Sequence, residues 1–111
     1  MKYLCLVYME EKTLDAVPDS DCMAYGNELR KSGRYIAAEA LQSVHSATTV
    51  RVRNGKVSMT DGPFAETKEQ LGGFFLIEAK DMDEACEVAS RFPPARLGTI
   101  EVRPVQEMQH S

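Results

Sequence analysis

The residue whose side chain could most clearly take part in catalysis or binding is Asp61, which stands directly before Gly62-Pro63 in the segment DGPFAETKEQLGG. An aspartate at such a turn can accept hydrogen bonds from nearby backbone N–H groups, which is a purely structural role. The same carboxylate could instead line a cleft, where it would accept a proton or orient a substrate. We keep both interpretations and predict that Asp61 lies at the mouth of the main cleft.

Four further residues are candidates for holding a ligand near Asp61. Glu66 and Lys68 most simply belong to a solvated turn whose charges pair weakly. Lys68 could instead neutralise an anionic ligand, and Arg96 could grip a carboxylate with two hydrogen bonds. Tyr8 ends an apolar run, where its ring would be core and its hydroxyl could reach the cleft. The hypothetical site therefore comprises Asp61 as catalytic residue and Glu66, Lys68, Arg96 and Tyr8 as ligand contacts.

The histidines and cysteines predict neither a metal site nor a cofactor. Cys5, Cys22 and Cys86 are odd in number and show no CxxC spacing, so we expect reduced, mostly buried thiols. His45 lies in the polar stretch QSVHSATT and His110 next to the last residue. We interpret His45 as a solvated loop residue rather than a base.

Composition excludes several classes of partner. The 111 residues carry a formal net charge of −4 with scattered basic residues, which argues against a nucleic-acid partner. The apolar run in the opening MKYLCLVYMEEK is too short for a signal peptide or a membrane span. We therefore expect one domain over residues 1–111, located in the cytoplasm.

Hydrophobic periodicity predicts a chain of short alternating elements. Strands are expected over 2–9, 35–41, 47–53, 74–79 and 99–103, with a strand after a tight turn at Asn54-Gly55. Pro18 and the following acids suggest the start of a helix over 20–32, and a second helix is expected over 82–92, ended by Pro93-Pro94. The intervening loop would contain a helical turn over 65–70.

This order predicts an α+β fold of the ferredoxin-like type, an antiparallel sheet with two helices on one face. The strands 2–9 and 74–79 carry apolar residues on both faces. Two helices can cover only one of those faces, and a second copy of the chain is the simplest cover for the other. We therefore expect a homodimer.

The run DGPFAETKEQLGGF, over residues 61–74, resembles the signature of the DGPF branch of the YCII-related proteins. The segments MKYL, TTVRVRNGK, FPPARLG and IEVRPV are similar to the same family. The resemblance implies a ferredoxin-like fold that forms a dimeric α+β barrel. The wider family has a histidine in its first helix, proposed to pair with an aspartate. The helix SDCMAYGNELRKS contains no histidine, so that pair is not carried over, although Asp61 would correspond to the aspartate.

Three functional hypotheses follow. We favour a module that binds a small, anionic metabolite in a cleft near Asp61. The alternatives are a lyase-like or isomerase-like enzyme that uses Asp61 as acid or base, with Lys68 or Arg96 holding an anion, and a purely structural dimerisation unit. The residues present do not identify the ligand.

Overall fold

The chain forms a four-stranded antiparallel sheet, a separate two-stranded hairpin and two helices. A computed structural model describes residues 1–16 and 19–107. The strands are β1 (Lys2–Met9), β2 (Tyr35–Ala40), β3 (Thr48–Arg53), β4 (Lys56–Asp61), β5 (Gln70–Glu78) and β6 (Thr99–Pro104). The helices are α1 (Asp19–Lys31) and α2 (Met82–Ser90), and short 3₁₀ segments span Glu11–Ala16, Val44–Ser46 and Pro93–Arg96.

The main sheet has the strand order β2-β5-β1-β6, with all pairs antiparallel. Alternate β1 side chains are buried toward the helices, because successive side chains of a strand point to opposite faces. These buried residues are Tyr3, Cys5, Val7 and Met9. The expected ferredoxin-like arrangement, with two helices on one face, is confirmed.

Both helices reach the core through side chains spaced at helical intervals. Tyr25 and Leu29 of α1 are buried, and Val88 belongs to the buried face of α2. The hydroxyl of Tyr25 donates a 2.6 Å hydrogen bond to the backbone carbonyl of Val88, which joins the two helices. Phe75 of β5 packs against Phe92 with ring centroids 4.4 Å apart. These contacts fix both helices on the same side of the sheet.

The opposite face of the sheet is apolar along its two central strands but carries no helix. Leu4, Leu6 and Tyr8 of β1 and Phe74 and Leu76 of β5 point to this face and are half-buried. In the pairing of β1 with β5, Leu4 stands opposite Leu76 and Leu6 opposite Phe74. We call these five residues the open face.

The hairpin of β3 and β4 turns at Asn54-Gly55, as the sequence predicts. Both turn residues have positive φ angles, 53° and 76°, which a tight two-residue hairpin turn requires. The turn pairs Thr48 with Asp61 and Arg53 with Lys56. The hairpin forms its own sheet, so it is a projection from the main body.

Several element boundaries differ from the sequence-based expectation. The helical turn expected over 65–70 is wrong, because Gln70 already begins β5 and its side chain closes the preceding loop instead. Helix α2 ends at Ser90, and Pro93 opens a 3₁₀ segment rather than ending the helix. Strand β2 ends at Ala40 and α1 begins at Asp19. Pro18, which the sequence places before this helix, and His110 lie outside the described residues.

The expectation of mostly buried thiols is wrong for two of the three cysteines. Cys5 is fully buried, whereas Cys22 is half-buried and Cys86 is exposed. Burial raises the pKa of the Cys5 thiol to about 12, so this side chain behaves as a small apolar core residue. None of the described helices has the length and apolarity needed to cross a membrane.

Gly98, which precedes β6, is predicted to be essential for stability. A β-carbon at this position would overlap the backbone carbonyl of Tyr8 and the side chain of Met9. We expect Gly98→Ala to lower the free energy of unfolding by about 2 kcal/mol in urea denaturation, because β6 must move away from β1.

Gly26→Ala is the matched control, since a β-carbon on Gly26 meets nothing within 4 Å. Alanine inside a helix should stabilise the protein by about 0.5–1 kcal/mol relative to glycine. Equal changes in the free energy of unfolding for the two substitutions would show that the close approach of β1 to Gly98 does not determine stability.

Candidate functional site

Asp61 lies at the edge of a small open pocket of about 360 Å³, within the usual size range of ligand sites. The pocket is formed by the end of β4, the loop that follows it and the 3₁₀ segment between β2 and β3. Its lining residues are Val44, His45, Asp61, Gly62, Pro63, Glu66 and Gln70. We call it the Asp61 pocket.

Hydrogen bonds to the Gly62 backbone, rather than the Asp61 carboxylate, hold the turn after β4. The amide of Gly62 donates to the carbonyl of Ala47 at 2.7 Å, and the Thr49 hydroxyl donates to the carbonyl of Gly62 at 2.9 Å. Gly62 has a φ of 101°, a conformation that favours glycine. Among the residues that the structure describes, nothing is hydrogen-bonded to the carboxylate of Asp61. The carboxylate is therefore exposed at the pocket rather than used in the turn.

His45 reaches the same pocket from the 3₁₀ segment Val44–Ser46. This segment is held by Glu11, whose Oε1 accepts hydrogen bonds from the hydroxyl of Ser43 at 3.1 Å and from the amide of Val44 at 2.7 Å. The Ser43 hydroxyl in turn accepts from the amide of His45. Glu11 thus fixes the backbone that carries the imidazole.

The loop that carries Glu66 is closed by the side chain of Gln70. Its Nε2 donates to the backbone carbonyls of Ala65 at 3.0 Å and Thr67 at 3.1 Å. The hydroxyl of Thr67 donates to the carbonyl of Glu69 at 2.6 Å. These short-range bonds replace a helical turn and place Glu66 in the pocket wall.

Lys68 binds the end of β1 instead of lining the Asp61 pocket. Its Nζ lies 3.3 Å from Oε1 of Glu10, and Nζ of Lys12 lies 3.3 Å from Oε2 of the same carboxylate. Hydrogen bonds from Lys12 and then Lys68 lower the pKa of Glu10. Lys68 therefore ties the loop after β4 to the main sheet.

Arg96 and Tyr8 are not among the pocket-lining residues. Arg96 is exposed at the end of the 3₁₀ segment Pro93–Arg96, and Tyr8 belongs to the open face. Of the five candidate residues, the structure thus brings together Asp61 and Glu66 and leaves Lys68, Arg96 and Tyr8 elsewhere. It adds His45, which sequence reasoning had assigned to a solvated loop.

A larger cleft of about 810 Å³ lies between α1 and the strands β2 and β5. Arg30 stacks on the Tyr35 ring at 4.4 Å in its wall, and Glu11 and Ser43 line the side nearest the Asp61 pocket. Asp61 is not among its lining residues, so the expectation that Asp61 lies at the mouth of the main cleft is wrong. The segment that begins at Ser43 separates the two cavities.

The described arrangement defines a ferredoxin-like α+β domain with a hairpin inserted between its second and third sheet strands. The chain belongs to the YCII-related domain family, whose model matches residues 1–109. An uncharacterized protein of Rhizobium meliloti (strain 1021) is 34% identical over 114 residues, covering 95% of this chain and 92% of that protein.

The fold is also similar to a solved enzyme, the 5-chloro-2-hydroxyhydroquinone dehydrochlorinase TftG from Burkholderia phenoliruptrix AC1100, in complex with 2,5-dihydroxybenzoquinone. The TM-score is 0.60 at 17% sequence identity, over 97% of this chain and 96% of the enzyme. At this identity the comparison shows a common fold.

We predict that Glu11 determines the order of the His45 segment. Glu11→Ala removes the acceptor for Ser43 and Val44 and should destabilise the protein by about 1–2 kcal/mol. Amide hydrogen exchange of Val44 should become faster than in the wild type. Glu11→Gln retains an acceptor oxygen and is expected to preserve most of the protection, whereas unchanged exchange in Glu11→Ala would contradict this role.

We also predict that Lys68 affects the titration of Glu10. Since the folded pKa of Glu10 is lowered, its stabilising contribution is present above the pKa of the unfolded chain and is lost as the pH falls through the folded pKa. Lys68→Gln should move the Glu10 pKa, measured by ¹³C NMR of the carboxyl group, back toward its ordinary value. Lys56→Gln in the hairpin serves as control and should leave it unchanged. If the pKa of Glu10 were the same in Lys68→Gln as in Lys56→Gln, the contact between Lys68 and Glu10 would be refuted.

Proposed function

We propose that this protein is a homodimer that binds a small molecule in the Asp61 pocket. The observation that carries the proposal is the convergence of three titratable side chains, His45, Asp61 and Glu66, from separate segments onto one pocket. Among the described residues, none of these three side chains has an internal hydrogen-bond or ion-pair partner. Polar groups without internal partners at a concave surface are available to a ligand.

The charge of the lining favours a ligand that donates hydrogen bonds over an anion. Asp61 and Glu66 supply two carboxylates, and His45 supplies an imidazole. Lys68, which would have neutralised an anion, is engaged by Glu10. Carboxylates accept hydrogen bonds and repel negative charge. The proposed ligand therefore carries hydroxyl or amino groups, which replaces the initial expectation of an anionic metabolite.

Catalysis is the second candidate function. An imidazole and carboxylates at one pocket are the groups that transfer protons in acid–base catalysis. TftG, with the same fold, is an enzyme that was solved with a dihydroxylated quinone. These observations support an activity of the lyase or isomerase type, in which Asp61 or His45 removes a proton from a hydroxylated substrate. Binding without turnover would favour the module over the enzyme.

The open face supports the homodimer. Leu4, Leu6, Phe74 and Leu76 form a contiguous apolar centre on a sheet whose other face already holds both helices. The protomer measures 46 × 45 × 19 Å, so its thin dimension accommodates one sheet and one layer of helices, since packed layers lie about 10 Å apart. A second sheet packed on the open face would remove these side chains from water.

We predict that Asp61→Asn weakens ligand binding without unfolding the chain. The probes are hydroquinone, catechol and ethanolamine, which donate hydrogen bonds, and inorganic phosphate, an anion. In ¹⁵N NMR titrations the donors should shift the amides of 44–46, 61–62 and 64–66, whereas phosphate should not. Asp61→Asn should reduce the affinity about tenfold, because a hydrogen bond to a charged acceptor contributes about 1.5–3 kcal/mol.

Asp83→Asn provides the matched control, since Asp83 is an exposed carboxylate in the first turn of α2. It should leave the probe affinity unchanged. Shifts confined to the larger cleft, or no shift with any of the three donors, would overturn the pocket assignment. Unchanged affinity in Asp61→Asn together with a lower melting temperature would show that Asp61 only shapes the turn.

We predict that a charge on the open face dissociates the dimer. Leu6→Lys places an ammonium group beside Phe74 at the centre of the open face. A second sheet packed there would desolvate it, at a cost that pairing with the exposed Glu101 does not offset. Sedimentation velocity at micromolar concentration should show a folded monomer. Ala24→Lys, on the exposed side of α1, should remain dimeric. Circular dichroism verifies folding, and Leu6→Gln is the milder variant. A dimeric, folded Leu6→Lys would contradict the assignment of this face.

A further inference from the structure

The projecting hairpin has one apolar face that nothing in the described protomer covers. Val50 stands opposite Met59 and Val52 opposite Val57, so these four side chains share one side of the two-stranded ribbon. They are 57%, 71%, 56% and 64% exposed, respectively. We call this surface the hairpin face.

An exposed apolar ribbon of this kind requires a partner. A two-stranded hairpin is at best marginally stable alone in water. The radius of gyration is 15.9 Å, compared with about 13 Å for a compact domain of this length. The projection thus extends the protomer and gains little stability from the main body. The marginal stability of the hairpin and the exposure of its valines both indicate that it packs on a second surface.

We infer that the hairpin face packs on the second copy of the homodimer and that this copy completes the Asp61 pocket. The inference rests on the homodimer proposed above. The four apolar residues expose on the order of 400 Å², half of the roughly 800 Å² that each partner buries in a standard interface. The half-buried side chains of the open face add further apolar area to the same interface.

Charge also favours a second copy as the occupant. The opposite side of the hairpin carries Arg51, Arg53 and Lys56, whereas the chain as a whole has a net charge of −4. The rest of the chain is therefore acidic, so long-range attraction favours the approach of a basic hairpin from another copy, with these three cations on the side away from the packed face. An anionic membrane is the other surface to which a basic, amphipathic hairpin could bind. Such a membrane repels a chain with a net charge of −4.

The register of β4 connects this contact with the pocket. Side chains alternate along a strand, so Val57, Met59 and Asp61 point to the same side. A protein surface that covers Val57 and Met59 consequently continues beside Asp61. Asp61 and His45 are exposed in the protomer, and the second copy would close the open side of their pocket.

The test compares Met59→Lys with Ser58→Lys, which places the same charge on the next residue and on the opposite side of the hairpin. Sedimentation velocity should show at least a tenfold increase in the dimer dissociation constant for Met59→Lys and less than threefold for Ser58→Lys. Hydrogen exchange of residues 50–59 in the wild type should be slower in the dimer than after dilution to the monomer. Val57→Thr, which keeps the shape of valine, should weaken the dimer less than Met59→Lys.

The outcomes separate this inference from the proposed dimer. A wild-type chain that is monomeric at 100 µM would overturn both. A dimer that tolerates Met59→Lys, with hairpin exchange independent of concentration, would overturn the hairpin contact and leave the open-face dimer standing. Protection of the hairpin by vesicles of phosphatidylcholine and phosphatidylglycerol, and not by concentration, would assign the hairpin face to a membrane instead.

Discussion

The structure depends on one constraint: two helices can cover only one face of a four-stranded sheet. The face with Tyr3, Cys5 and Val7 is buried by α1 and α2, while the face with Leu4 and Leu6 is left without a layer. Burying apolar area is the main source of stability, at about 25 cal/mol per Å². An uncovered apolar sheet is therefore a driving force for association, and the proposed homodimer rests on it.

The geometry of one tight turn positions the proposed site. A two-residue turn at Asn54-Gly55 pairs Thr48 with Asp61, so the segment before Thr48 must lie beside the segment after Asp61. This brings His45 to the same pocket as Asp61. Glu11 then holds the His45 segment from the end of β1. The polar site is thus assembled by the hairpin, and the Glu11 carboxylate attaches its His45 segment to the end of β1.

Much of this fold could be predicted from the sequence, because its elements have strong local signals. Alternation in residues 2–9 divided the β1 side chains between two apolar faces, and Asn54-Gly55 located the hairpin. The loop over 65–70 could not be predicted, since the side chain of Gln70 forms bonds that a helical turn would otherwise make. Lys68 was misplaced because its partner, Glu10, is distant in sequence. His45 could have been found from the hairpin register alone.

The central claim is that the open face is a subunit interface, and the mass of the wild-type chain in solution tests it most directly. Light scattering coupled to size-exclusion chromatography, run across micromolar concentrations, should give twice the 12.4 kDa mass of one chain. A mass of 12.4 kDa at every concentration, for a protein that is folded by circular dichroism, would contradict the account.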